Sequence, residues 1–374
     1  MLKIFSAIVL VSALSVSAFA QDIASVDKNF AVEKCDGLNV VYRDALSAPF
    51  VLEGFPWFEK GKPLYRLPHN IKPEDINRGA RMALAKHTSG GVVRFRTDSP
   101  YITLRAKISN PNASMGHMPE TGSSGFDLFR DGNEYVKTVN PAHYKKSIPV
   151  PLEVPLVKGG AKKMRDYTLY MPLYNGVDSL EIGLAPDAKL EAPTPHKIKK
   201  PVLFYGSSIT QGACASRTSN AYTAMLCRAV DAPLINLGFS GNAKGEIKVA
   251  ELIGSLDLAA FVMDYDYNAP NFEHLKKTHE PFFKAVRNAR PDLPIIILGK
   301  ITHATPERDA VVRATYENAV KAGDKKVWFI DGKTLFSGAD YSYLTVDNCH
   351  PNDLGFYLMF KNSLPTLKKA LGIE

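Results

Sequence analysis

A serine hydroxyl attacks an acyl carbon efficiently when an imidazole takes its proton, and the imidazole keeps the right tautomer when a carboxylate holds its other nitrogen. Two segments of this 374-residue chain carry those three side chains. Ser208 stands in Gly206-Ser207-Ser208-Ile209-Thr210-Gln211-Gly212, directly after the apolar run Val202-Leu203-Phe204-Tyr205. A serine just beyond a buried strand presents its hydroxyl at the sheet edge and directs its N–H at a substrate oxyanion, and Gly206 frees the backbone to turn. Asp347 and His350 stand three apart in Asp347-Asn348-Cys349-His350-Pro351, ahead of a helix beginning near Asp353. Taken singly, the first segment reads as a polar strand-to-helix turn and the second as a loop with a capping Asp. Taken together they supply a nucleophile, a base and its orienter for ester hydrolysis.

Two different grammars must position these groups. From about Ala45 to Leu184 the chain runs in short strands such as Val92–Arg96 and Ile102–Ala106, with period-two patterning and polar turns. Arg130-Asp131-Gly132-Asn133 between Phe126–Phe129 and Glu134–Val136 is a hairpin pattern. This half predicts a β-sandwich. Residues 185–200 are rich in Pro, Ala and Lys and read as a linker. Beyond them, five largely apolar runs end in Tyr205, Leu237, Met263, Leu298 and Ile330, as expected of parallel strands covered by helices on both faces. One intervening helix starts with Thr305 as cap and Pro306 at its first turn, with Val312, Tyr316, Ala319 and Val320 on one face and Gly323 as its stop. The expected organisation is a leader over 1–20, a sandwich over 21–190 and an α/β domain with a parallel sheet over 200–374.

In order along the α/β half, these residues resemble the blocks of the SGNH (GDSL) hydrolase family. Gly206-Ser207-Ser208-Ile209 stands where the family has Gly-Asp-Ser-Leu, with Ser207 replacing the acid. Asn236-Leu237-Gly238-Phe239-Ser240-Gly241-Asn242 is similar to the second block, and Asp266-Tyr267-Asn268-Ala269 replaces the Gly-x-Asn-Asp of the third. Asp347 and His350 match the last. The resemblance spans roughly Lys200 to Leu371 and implies a three-layer α/β/α domain. It also implies an oxyanion hole made by the N–H groups of Ser208 and Gly241 and the amide of Asn268. The strand-rich half resembles a module found ahead of such domains and marked by Gly-x-Asp-Leu-Tyr, here Gly125-Phe126-Asp127-Leu128-Phe129. That implies an accessory sandwich, either forming one rim of the site or purely structural.

Composition bounds the rest. Lys3, the apolar run Ile4–Val16 and Ala18-Phe19-Ala20 read as a cleaved leader with the mature chain starting near Gln21, so a secreted or periplasmic location is expected. No later stretch resembles a membrane span. The net charge of +8 is dispersed in small lysine clusters without a nucleic-acid motif, so no nucleic-acid partner is expected. None of the four cysteines forms a CxxC pair, and the other histidines, His117 among them, lack ligand spacing, so neither a metal nor a cofactor is expected. Cys214 and Cys349 flank the proposed catalytic groups and should be neighbours; a disulfide between them is the preferred expectation and two buried free thiols the alternative. The expected substrate is a carboxylic ester, O-acetyl groups on carbohydrate first. A lipolytic or aryl esterase, or a carbohydrate-binding protein with a decayed site, are the alternatives.

Overall fold

In the computed structural model, residues 26–27, 35–139 and 152–373 are described. The leader expected over 1–20 lies outside them. Strands β1 (Val41–Asp44), β2 (Val51–Glu53), β3 (Val92–Thr97), β4 (Ile102–Ile108), β5 (Phe126–Arg130), β6 (Glu134–Val139), β7 (Leu152–Val157), β8 (Arg165–Tyr170), β9 (Val177–Leu184) and β10 (Leu190–Glu191) build two antiparallel sheets. Their orders are β1-β9-β4-β7 and β10-β3-β8-β5-β6, with β2 also pairing β3. The β5–β6 hairpin turns through Asp131 and Gly132, both at positive φ.

Side-chain alternation divides the middle of the second sheet between two cores. Val93, Phe95, Phe126, Leu128 and Leu169 point into the core between the two sheets. Their neighbours Val92, Phe129 and Tyr170 point the other way, into a core shared with the C-terminal half. The middle of β3, β5 and β8 is therefore covered on both faces, while the edge strands β6 and β10 are not.

The C-terminal half holds one parallel sheet of order β12-β11-β13-β14-β15, from β11 (Val202–Gly206), β12 (Leu234–Gly238), β13 (Ala260–Asp264), β14 (Ile295–Leu298) and β15 (Val327–Ile330). Period two again assigns the faces. Val202, Phe204 and Val262 pack with helices α2 (Tyr222–Val230) and α6 (Asp353–Leu371). Leu203, Tyr205, Phe261 and Met263 pack with α3 (Ile247–Gly254), α4 (Phe272–Ala289) and α5 (Pro306–Lys321). This is a three-layer α/β/α arrangement, and its strand order reverses beside β11, where ligands of such sheets bind. In α5, Thr305 accepts from the Arg308 N–H as the expected cap, but Val320 is 47% exposed. At about 100° per residue it has rotated some 80° away from Val312, off the buried face.

Residues 185–200 are not a free linker. β10 pairs with β3, the Lys189 N–H donates to Asp98, and Thr194 donates to Asp166 through both its N–H and its hydroxyl. Residues Cys35–Glu374 form one compact unit. The Gly-x-Asp-Leu motif belongs to the seam between its halves. A Cβ on Gly125 would lie 2.2 Å from the Thr121 carbonyl oxygen. Asp127, fully buried, accepts from the Ser219 N–H at 2.9 Å and from its hydroxyl at 2.5 Å. Phe129 lies edge-on to Tyr170 with the Arg228 guanidinium over its ring.

Candidate active site

β11 runs fully buried to Gly206, where a Cβ would lie 2.1 Å from the Thr210 hydroxyl and 2.4 Å from the Asp264 carbonyl oxygen. Only glycine fits there. The chain then enters the short helix α1 (Ser208–Gln211), capped by Ser207, whose hydroxyl accepts from the Ile209 N–H. Gly212 ends it at φ +104. Capping explains how serine replaces the family's acid at 207, because Ser and Asp are both good helix caps. As the first helical residue, Ser208 has an N–H with no intrahelical acceptor, free for a ligand oxygen.

The structure joins the two sequence segments. Ser208 Oγ lies 2.8 Å from His350 Nε2, and His350 Nδ1 lies 2.7 Å from Asp347 Oδ2. A carboxylate facing Nδ1 holds the proton on that nitrogen, leaving Nε2 to accept from the serine. Asp347 Oδ1 accepts from the N–H groups of Cys349 and His350, which folds the loop back on itself through Asn348 at φ +64. Tyr341 and His303 both reach the Asn348 carbonyl and brace this loop. Burial alone would raise the Asp347 carboxyl, but the hydrogen bonds from His350 and Cys349 hold it down at about 2. It is ionised throughout the neutral range.

The loops bearing Gly241 and Asn268 are tied to each other. The Asn268 amide donates to the Phe239 carbonyl at 2.8 Å, leaving its second N–H. Gly241, exposed at φ +66, follows Ser240, whose N–H donates to the Gln211 side chain. Gly238 packs so closely on α1 that a Cβ would lie 2.2 Å from the Gln211 nitrogen. The Gly241 loop is thereby fastened to the nucleophile helix. Arg308 fixes the other loop, donating to the Asp266 carboxylate and the Ala269 carbonyl on either side of Asn268.

Other supports come from residues that no local motif marks. Arg66, fully buried, donates to the carbonyls of Leu84, His87, Asn236 and Gly238. Tyr174 donates to the Ser208 carbonyl at 3.2 Å. Gly122 packs on the nucleophile loop, a Cβ there falling 2.0 Å from the Ala215 carbonyl oxygen, and Thr121 donates to the Ser216 carbonyl. This contact carries His117 to the site, its ring centroid 5.7 Å from that of His350. Only glycine spacing near 122 hinted at so close an approach.

The disulfide expected between Cys214 and Cys349 is not formed. Both thiols are free, although the two residues are close enough to act on each other electrostatically. Cys214, at φ +73, faces His117 and His350 instead.

A parallel α/β/α sheet with a serine at the carboxyl end of its first strand, joined to an Asp-x-x-His loop, is the architecture of the SGNH hydrolases. Residues 199–368 match the GDSL-like lipase/acylhydrolase family, and residues 40–190 match the GxDLY N-terminal module of SGNH-type esterases. The chain belongs to this family and is an ester-hydrolysing enzyme. It is similar to the crystal structure of a GDSL-like lipase candidate from Bacteroides ovatus, at 29% identity and TM-score 0.75 over 90% of this chain and 99% of that one. A salicylyl-acyltransferase from a tetracycline biosynthetic pathway shares the fold at 20% identity and TM-score 0.74, over 89% and 98% of the two chains. An acetyl xylan esterase from the rumen bacterium Butyrivibrio proteoclasticus does so at 13% and 0.59, over 90% and 99%. A search among curated proteins finds no match to the sequence. No helix among the described residues is long and apolar enough to cross a membrane.

Proposed function

We propose that the protein is an exported acetylesterase that removes O-acetyl groups from carbohydrate, with Ser208 as nucleophile, His350 as general base and acid, and Asp347 as its orienter. The hydrogen-bond chain Ser208–His350–Asp347 carries this reading. His350 Nε2 takes the hydroxyl proton as Ser208 Oγ attacks the ester carbonyl. The N–H groups of Ser208 and Gly241 and the Asn268 amide receive the oxyanion. His350 then protonates the departing sugar hydroxyl, leaving an acetyl-enzyme. Water, deprotonated by the same nitrogen, attacks the acetyl carbon, and collapse of the second tetrahedral intermediate releases acetate and returns Ser208 Oγ–H.

The rim supports a sugar alcohol over a lipid. Tyr341 and Tyr343, the latter 68% exposed, stand at the loop that carries His350, and their amphipathic rings suit a sugar face with polar edges. The fold shared with an acetyl xylan esterase agrees with this choice.

The test is acetate release from acetylated oligosaccharides beside hydrolysis of longer-chain esters, by wild type and Ser208→Ala. We expect preference for the acetylated glycan and a loss of about 10⁴-fold or more in kcat for the variant, with its circular dichroism unchanged. Activity retained in Ser208→Ala would refute the nucleophile. Preference for long acyl chains would refute the substrate class alone.

A further inference from the structure

We infer that His117, Cys214 and His350 form a binding site for a thiophilic divalent cation, with zinc as its representative, and that occupancy reversibly shuts the esterase off. One ligand atom of each residue lies within 4.8 Å of the other two. With Zn–N of about 2.0 Å and Zn–S of about 2.3 Å, two nitrogens on one tetrahedral zinc sit about 3.3 Å apart and a nitrogen and a sulfur about 3.5 Å. The groups therefore need to close by at most roughly 1.5 Å at their widest pair. His117 is exposed and can supply that movement, while Cys214 is buried and held in place by its backbone. Two imidazoles and a thiolate are a donor set that zinc favours, and water can complete the fourth position.

Inhibition follows from which atoms are taken. This step rests on His350 being the catalytic base. Both of its nitrogens are engaged, Nδ1 with Asp347 and Nε2 with Ser208. An ion binding Nε2 removes the acceptor of the serine proton, and an ion binding Nδ1 breaks the link to Asp347. Either way the relay is interrupted, so the cation acts as an inhibitor and not as a cofactor. Coordination displaces the proton of the Cys214 thiol. His117 comes from the loop between β4 and β5, so the N-terminal half supplies the ligand that distinguishes this site from the triad alone.

Two measurements on the purified, metal-free protein test this. In the first, hydrolysis of a small acetate ester is followed against zinc concentration for wild type and His117→Ala. We expect at least a tenfold loss of wild-type rate at saturating zinc, full recovery with EDTA, and His117→Ala, each rate taken relative to that protein's own metal-free value, needing at least about tenfold more zinc for half inhibition. In the second, cobalt(II) is titrated and thiolate-to-cobalt charge-transfer absorption is recorded. The band should appear in wild type and in Ser208→Ala and be lost in Cys214→Ala. Equal zinc sensitivity in His117→Ala, or no cobalt band in wild type, would overturn the site. The band needs no turnover, so its failure is separable from failure of the catalytic assignment, which Ser208→Ala tests.

Discussion

Asp347 accepts three hydrogen bonds on two oxygens, from the Cys349 N–H, the His350 N–H and the His350 ring. The first two shape the loop and the third orients the base, so one side chain couples loop geometry to chemistry. Because its pKa is depressed to about 2, the stability it contributes is full above the ordinary carboxylate value of 3.8 and is lost progressively as pH falls from there through about 2. Any acid limb of the rate profile above pH 4 therefore belongs to another group. In Asp347→Asn, the amide can turn its NH₂ toward Nδ1 and favour the wrong tautomer. We expect kcat to fall by about 10³–10⁴-fold with KM little changed, measured by steady-state kinetics on a chromogenic acetate.

At the level of elements, the end of β12 depends on a single buried cation. Arg66 spans the carbonyls of Asn236 and Gly238 in the strand and those of Leu84 and His87 in the N-terminal half, with its guanidinium over the Phe239 ring. Burial, unmatched by a carboxylate among these partners, lowers its pKa to about 9. The five N–H groups of a guanidinium match four carbonyls, whereas an ammonium has three. Arg66→Met should leave these carbonyls without that donor and cost about 3–5 kcal/mol, read as a lower midpoint in urea. Arg66→Lys should not restore it. Because the same strand leads to Gly241, kcat of whatever folds should fall more than KM rises.

Across the whole molecule, His196 ties the halves at their seam. Its Nδ1 lies 2.7 Å from Asp231, at the end of α2, and its Nε2 lies 3.1 Å from both oxygens of Glu53 in β2. A neutral imidazole would set a lone pair against one of these carboxylates, so the pair of contacts calls for the imidazolium. Arg94, which also bonds Glu53, lines the same cleft of about 450 Å³, and its charge opposes that cation. Desolvation lowers the His196 pKa, but the hydrogen bonds and charges of Glu53 and Asp231 outweigh it and raise the pKa above 6.5. A raised histidine pKa gives stability that is full below the unfolded value and is lost as pH rises through the folded one. The wild-type melting temperature should therefore fall above pH 6.5 relative to its slightly acidic value, and His196→Gln should show a weaker dependence. Equal slopes in the two proteins would remove the clamp from the account.

The five apolar runs of the C-terminal half, the β5–β6 hairpin and the Thr305–Pro306 helix start were legible because each is written in neighbouring residues, as periodicity, turn chemistry or capping. Ser208, Asp347 and His350 could be singled out for the same reason: a strand end and a four-residue loop are local objects. The bond between Ser208 and His350, like the placement of everything else around them, is tertiary. Whether residues 185–200 hang free or pair with β3, and whether Cys214 turns to Cys349 or to His117, depends on which surfaces pack. Arg66 looks like an ordinary surface charge until distant carbonyls enclose it, and the motif residue Asp127 shows no partner until a distant serine reaches it. Sequence alone thus determined the elements and the chemical cast of the site. The tertiary structure decided the partners of Ser208, His350 and Cys214, because a contact between segments far apart in the chain leaves no periodic mark in either.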